Sequence, residues 1–177
     1  MIMKRVLPVL LIIVSLSYFS SCEKDDICVE GDTPLLYIGF YDFEDTLSFK
    51  RVPSIRIRAV NNTGFNDSTL VNSTFSDRSS SPDSLGVPLI INGSSTSFEF
   101  ITNSADDDDG VENGMIDTLT FNYTVNPEYI SRPCGFIANF NELDTLRQVF
   151  SSDWIKRISI VNSDIERPNQ IHVKIFH

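Results

Sequence analysis

Apolar residues come in short runs along most of the chain, separated by clusters of Gly, Asn, Ser, Asp and Pro. Runs of strand length between turn-forming residues predict β segments rather than long helices. LLYIGFY (35–41) is mostly apolar and suits a buried strand. SIRIRAV (54–60) alternates, with Ile55 and Ile57 on one face and Arg56 and Arg58 on the other. The cleanest alternation is DTLTFNYTV (117–125), where Leu119, Phe121, Tyr123 and Val125 share one side and the threonines and Asn122 share the other. PLII (88–91) and SFEFI (97–101) flank Asn92-Gly93, a dipeptide suited to a tight turn, and predict a hairpin. WIKRISIV (154–161) and IHVKIF (171–176) bracket a polar loop and predict a C-terminal hairpin.

Two stretches depart from this pattern. In NELDTLRQVF (141–150), Leu143, Leu146, Val149 and Phe150 fit one face of a short helix. Residues 61–84 are rich in Ser, Asn, Thr and Asp and predict long exposed loops. No internal repeat stands out. The sum is an all-β domain over residues 33–177, an antiparallel β-sandwich or partly open barrel of about seven to nine short strands.

The first residues follow another pattern. MIMKR is basic, VLPVLLIIVSLSYF is apolar, and two serines precede Cys22. The apolar run is shorter than the ~18 residues a spanning helix needs and has the layout of a secretory signal. Small residues before a cysteine resemble the processing site of bacterial lipoproteins, although Phe19 stands where Leu is commoner. Residues 1–21 are therefore expected to be a lipoprotein signal peptide, with Cys22 lipidated and 22–32 forming the tether. Several acyl chains, at ~0.8 kcal/mol per buried methylene, would hold such a protein stably on a membrane. The alternative is an ordinary cleaved signal, with Cys22 free or disulfide-bonded. Glu23-Lys24-Asp25-Asp26 resembles the Lys-plus-acidic tether of surface-exported Bacteroidota lipoproteins, so the expected location is the outer membrane, facing the cell surface. A periplasmic-facing protein is the alternative, since charge there also keeps a tether solvated.

The stretches SCEKDDIC, DTLTFNYTVNPEYISRPCGF and WIKRISIVNSDIERPNQIHVKIFH carry a resemblance that covers nearly the whole chain. It resembles a family of small Bacteroidota lipoproteins built on a domain of unknown function. The resemblance implies a location and a fold, but no activity.

Composition narrows the partners. The chain has 14 Lys and Arg and 24 Asp and Glu; without Lys4 and Arg5, 12 basic residues face 24 acidic ones, a formal net charge of −12. So acidic an exported domain would repel nucleic acid phosphates. With Cys22 assigned to lipid, the chain's three cysteines leave Cys28 and Cys134 as an even pair in an oxidising compartment. Their pairing is expected, with two buried free thiols as the alternative. Cys134 lies in SRPCGF, where Pro133 and Gly135 indicate a turn at a strand end.

Candidate chemistry is sparse. Asp106, Asp107, Asp108 and Asp109, followed by Gly110, offer hard oxygen ligands on a turn and could hold calcium weakly. An EF-hand loop fits badly: with Gly110 as its sixth residue, Ala105 takes the first ligand position and Ile116 that of the bidentate Glu. A solvated loop tip is the other reading, and no cofactor beyond weak calcium is expected. The two histidines, His172 and His177, form no recognisable set with a nucleophile or acid, so no enzyme is expected. Thr46, Ser68, Ser84 and Thr145, each after an Asp, resemble Bacteroidota O-glycosylation sites, though such pairs also favour turns. Thr118 in Asp117-Thr118-Leu119 falls in a predicted strand. These features predict a membrane-anchored protein with a non-catalytic binding or envelope-assembly role, partnered by an envelope protein or a glycan. The rival is a glycan-acting hydrolase, whose paired carboxylates would meet only in the fold.

Overall fold

The computed structural model describes residues 28, 32–60, 69–148, 154–166 and 170–177. The expected signal peptide, most of the tether and Ser68 lie outside them. Among the described residues there are eight strands and no helix: β1 (Leu36–Tyr41), β2 (Arg56–Val60), β3 (Ser84–Val87), β4 (Ser95–Thr102), β5 (Met115–Ser131), β6 (Gly135–Gln148), β7 (Arg157–Ile160) and β8 (Val173–Phe176).

They form two four-stranded sheets, ordered β3-β1-β8-β7 and β2-β4-β5-β6. The sheets stay open, so the arrangement is a sandwich and not a barrel. Alternation puts the apolar sets between the sheets: Ile38 and Phe40 from β1, Ile57 from β2, Phe98 and Phe100 from β4, and Leu119 and Phe121 from β5 are buried in one cluster. Val173 and Ile175 of β8 join them. At ~1.5–3 kcal/mol per buried large side chain, this cluster is the main source of stability.

Four expectations need correction. The sheets are not wholly antiparallel: β1 and β8 pair in parallel, from Ile38↔Val173 to Tyr41↔Phe176. Parallel neighbours need a long crossover, and here the chain runs through the whole opposite sheet before returning beside β1.

The hairpin predicted around Asn92-Gly93 is absent. The turn exists, but β3 ends at Val87 and pairs with β1, whereas β4 belongs to the other sheet. Pro88 has no N–H to extend β3. Residues 88–94 instead cross between the sheets. The Ile90 N–H donates to Thr96 Oγ1 (3.0 Å), the Tyr123 hydroxyl donates to the Ile90 carbonyl (2.8 Å), and Thr96 Oγ1 and Tyr123 Oη lie 2.6 Å apart.

The helix predicted over 141–150 is strand over its described residues, as the second half of β6, paired with β5 from Thr118 to Thr124. Phe140 and Leu143 are both buried at a spacing of three, which reads as helical. The cause is a β-bulge. Between Asn122↔Asp144 and Thr124↔Asn141, β6 has one residue more than β5, and Glu142 takes a positive φ of 56°. The extra residue changes which face the later side chains occupy, and Leu146 is exposed.

Residues 61–84 are not all exposed loop, since Leu70, Phe75 and Ser81 are buried and β3 begins at Ser84. The C-terminal hairpin forms as expected, β7 against β8.

Candidate functional site

The longest hairpin, β5–β6, reaches beyond the core. From Val125↔Phe140 through Pro127↔Ala138 to Tyr129↔Phe136, one face of it continues the apolar stripe of the sandwich. Cover is lost toward the tip, where Tyr129 is 54% and Phe136 70% exposed. Their rings pack edge-on across the strands, with centroids 5.3 Å apart. Arg132, Pro133 and Cys134 make the turn, and Gly135 leaves it with a positive φ of 70°. Cys134 is disulfide-bonded to Cys28, 106 residues earlier. The Ala138 N–H donates to Thr33 Oγ1 (3.3 Å), so the N-terminal segment lies along this arm before entering β1.

The opposite end carries a cluster of arginines and carboxylates. Arg56, on the outer face of β2, makes two bonds to Asp77 (2.9 and 2.7 Å) and one to Glu112 (3.1 Å). Arg78 bonds both oxygens of Asp106, and its Nε donates to Ser104 Oγ. Glu112, 7% exposed at its side chain, accepts from Ser104 Oγ (2.7 Å), the Ala105 N–H (3.1 Å) and the Gly114 N–H (2.9 Å). Burial pushes the Glu112 carboxyl up, but those donors and Arg56 outweigh it and hold it below its ordinary value. The bond from Arg56 lowers Asp77, and the bond from Arg78 lowers Asp106. A general acid at neutral pH needs the reverse shift. These carboxylates are built as ion-pair partners tying β2, residues 77–78 and the 104–114 loop together.

The four loop aspartates do not converge. Asp106 faces Arg78, while Asp107 Oδ1 accepts the N–H groups of Asp109 (3.0 Å) and Val111 (2.8 Å) in its own turn. Among the described residues no group of three or more metal-ligating side chains gathers. Of the glycosylation candidates, Thr46 is half-buried in an otherwise exposed turn and Ser84 is half-buried at the start of β3. Thr145 lies in β6 with its Oγ1 enclosed, which leaves no room for a sugar without local opening. Thr118 is buried.

The histidines are separate. His172 is buried, its Nδ1 accepting the Tyr37 N–H (3.1 Å), and burial lowers its pKa. His177 stacks edge-on to Trp154 at the end that holds the arginines. A mostly apolar cavity of about 370 Å³ opens between residues 33–35 and 88–92. No described helix is long and apolar enough to cross a membrane.

The arginine–carboxylate cluster has no local signature in the sequence, where alternation only sets Arg56 on the face opposite Ile55 and Ile57. Its partners lie 21 and 56 residues away, beyond the reach of any local pattern. The tip aromatics stood in NPEYISRPCGF without a signal that they would be left uncovered.

A family model described as "Family of unknown function (DUF6452)" matches residues 54–177. The chain belongs to that family. The match takes in β2 to β8, while β1, which precedes it, fills the place between β3 and β8. No curated protein matches the chain, and no solved structure does. Membership in DUF6452 brings no activity with it.

Proposed function

We propose that this protein is a lipid-anchored lipoprotein of a Bacteroidota outer membrane, facing the cell surface, which acts by binding or by joining an envelope assembly rather than by catalysis. The observation that carries the reading is the disulfide. It ties Cys28, six residues after the lipidation candidate Cys22, to the tip of the β5–β6 hairpin. A tether of six residues reaches at most about 20 Å, so the clamp would hold the sandwich end-on to the bilayer. The arginine–carboxylate end, and the turn after β1 where Leu47 is 86% exposed, would then point away from the membrane toward a protein or glycan partner.

Fractionation of cells that express the wild-type chain or Cys22→Ala tests the anchor. The wild type is expected in the outer membrane fraction and Cys22→Ala in the soluble fraction; equal distribution of the two would overturn the reading. Protease treatment of intact cells then reads the facing: loss of the domain supports surface exposure, and survival until lysis contradicts it.

A further inference from the structure

We infer that the β5–β6 tip is a lipid-contacting surface, with Tyr129 and Phe136 seated at the headgroup level of the bilayer. The inference rests on the proposed attachment at Cys22 and specifies what that attachment does to the domain. Three observations lead to it. Tyr129 and Phe136 form a paired aromatic patch at the open end of an apolar stripe whose cover thins outward, from buried Tyr123 through half-buried Val125 to exposed Pro127. The turn joining their strands contains Cys134, so the disulfide places the end of the tether within a few residues of both rings. The chain between Cys22 and Cys28 is short enough, at about 20 Å fully extended, to bring the tip to the surface in which Cys22 would be embedded.

The chemistry of the patch fits a membrane interface better than bulk water. Aromatic side chains favour the headgroup region, where an apolar body and a polar tip are both satisfied. Tyr129 supplies a hydroxyl and Phe136 a fully apolar ring, while Arg132 at the turn offers a cation to lipid phosphates. The opposite end has exposed apolar groups too, Phe43, Leu47 and Phe49, but nothing ties a lipid to them. The anchored protein would therefore rest on two points, the acyl chains and the aromatic tip, and stand upright instead of swinging on a free tether.

Brominated-lipid quenching of tryptophan tests this. The only native tryptophan, Trp154, is buried. Residues 22–177 contain both sheets and the disulfide, so this chain carries the whole described fold. With Cys28 and Cys134 paired, Cys22 is its one free thiol and can be coupled to a maleimide lipid in phosphatidylcholine vesicles. Coupling makes the measurement independent of whether the cell acylates Cys22, which mass analysis of native protein reads separately. Phe136→Trp and Leu47→Trp are compared with the parent, each first checked for an unchanged melting temperature. Phe136→Trp is expected to lose emission about twofold in brominated vesicles, and its emission should shift to the blue. Leu47→Trp and the parent are expected to change little. A vesicle-bound Phe136→Trp protein quenched no more than the parent would overturn the inference and point to a protein partner at the tip. Equal quenching of both variants would also overturn it, because the domain would then lie on its side.

Discussion

Glu112→Gln is the sharpest test of the arginine–carboxylate cluster. The glutamate serves four donors at once: its Oε1 accepts the Ala105 and Gly114 N–H groups, and its Oε2 accepts Ser104 Oγ and Arg56 Nη1. Glutamine keeps the shape and one oxygen, so the two backbone bonds can survive. Its amide nitrogen must then face Ser104 and Arg56. The Ser104 hydroxyl can turn to accept from it, but toward the Arg56 guanidinium, which has no acceptor, donor meets donor and the bond to a charged group is lost. Bonds to charged groups contribute about 1.5–3 kcal/mol each. Arg56 keeps its two bonds to Asp77, which offsets part of the loss. The expected destabilisation is about 2–4 kcal/mol, or roughly 6–12 °C in melting temperature for a domain of this size. Urea and thermal unfolding of residues 22–177 provide the assay. The pH dependence adds an independent check. Glu112, Asp77 and Asp106 are all lowered in the folded protein, so their stabilisation is present above the ordinary carboxylate range. It is lost as pH falls below that range, through the folded values. Glu112→Gln should unfold with a shallower acid dependence than wild type. A melting temperature within 2 °C of wild type (less than about 1 kcal/mol), with unchanged acid dependence, would refute the reasoning.

Other outcomes follow from the same geometry. Replacing Cys28 and Cys134 with serine should cost about 3–4 kcal/mol in urea unfolding. That is below the ~4.7 kcal/mol of the chain-entropy model for a 100-residue loop, because the reduced native chain also regains freedom ahead of β1; no loss would mean the clamp does not bear on the fold. Millimolar calcium should leave the melting temperature unchanged, since Asp106 is committed to Arg78 and Asp107 to its own turn; a clear rise would support a calcium site in the acidic loop. Between pH 7 and pH 5 stability should fall as pH drops below the ordinary histidine value of about 6.5, because burial lowers His172 and His177 and protonation favours the unfolded chain. His172→Asn should flatten that slope in part, and an unchanged slope would assign it elsewhere.

Much of the fold was legible because it rests on local alternation. Ile55 and Ile57 against Arg56 and Arg58, and Leu119, Phe121 and Tyr123 against Asn122, lie on the faces their spacing implied, and Val125 shares that side half-buried. The failures came where non-local geometry decides. The bulge at Glu142 gave a strand helical spacing, and the Asn92-Gly93 turn joined two sheets because Val87 already belonged beside β1. Parallel pairing of β1 with β8 depends on residues 135 positions apart, as in His172 and Tyr37, and no short window reports it. At the candidate sites, cysteine counting foresaw the Cys28–Cys134 bond. The acidic loop suggested a metal because its carboxylates were visible in the sequence, whereas the arginine that takes Asp106 comes from a distant segment.

The central claim is attachment through Cys22, and the mass of the mature N-terminal peptide tests it most directly. Protein extracted from membranes and digested should yield a peptide that begins at Cys22 and carries the added mass of acyl chains, with Cys28 still joined to Cys134. A peptide beginning elsewhere, or an unmodified Cys22, would contradict the account.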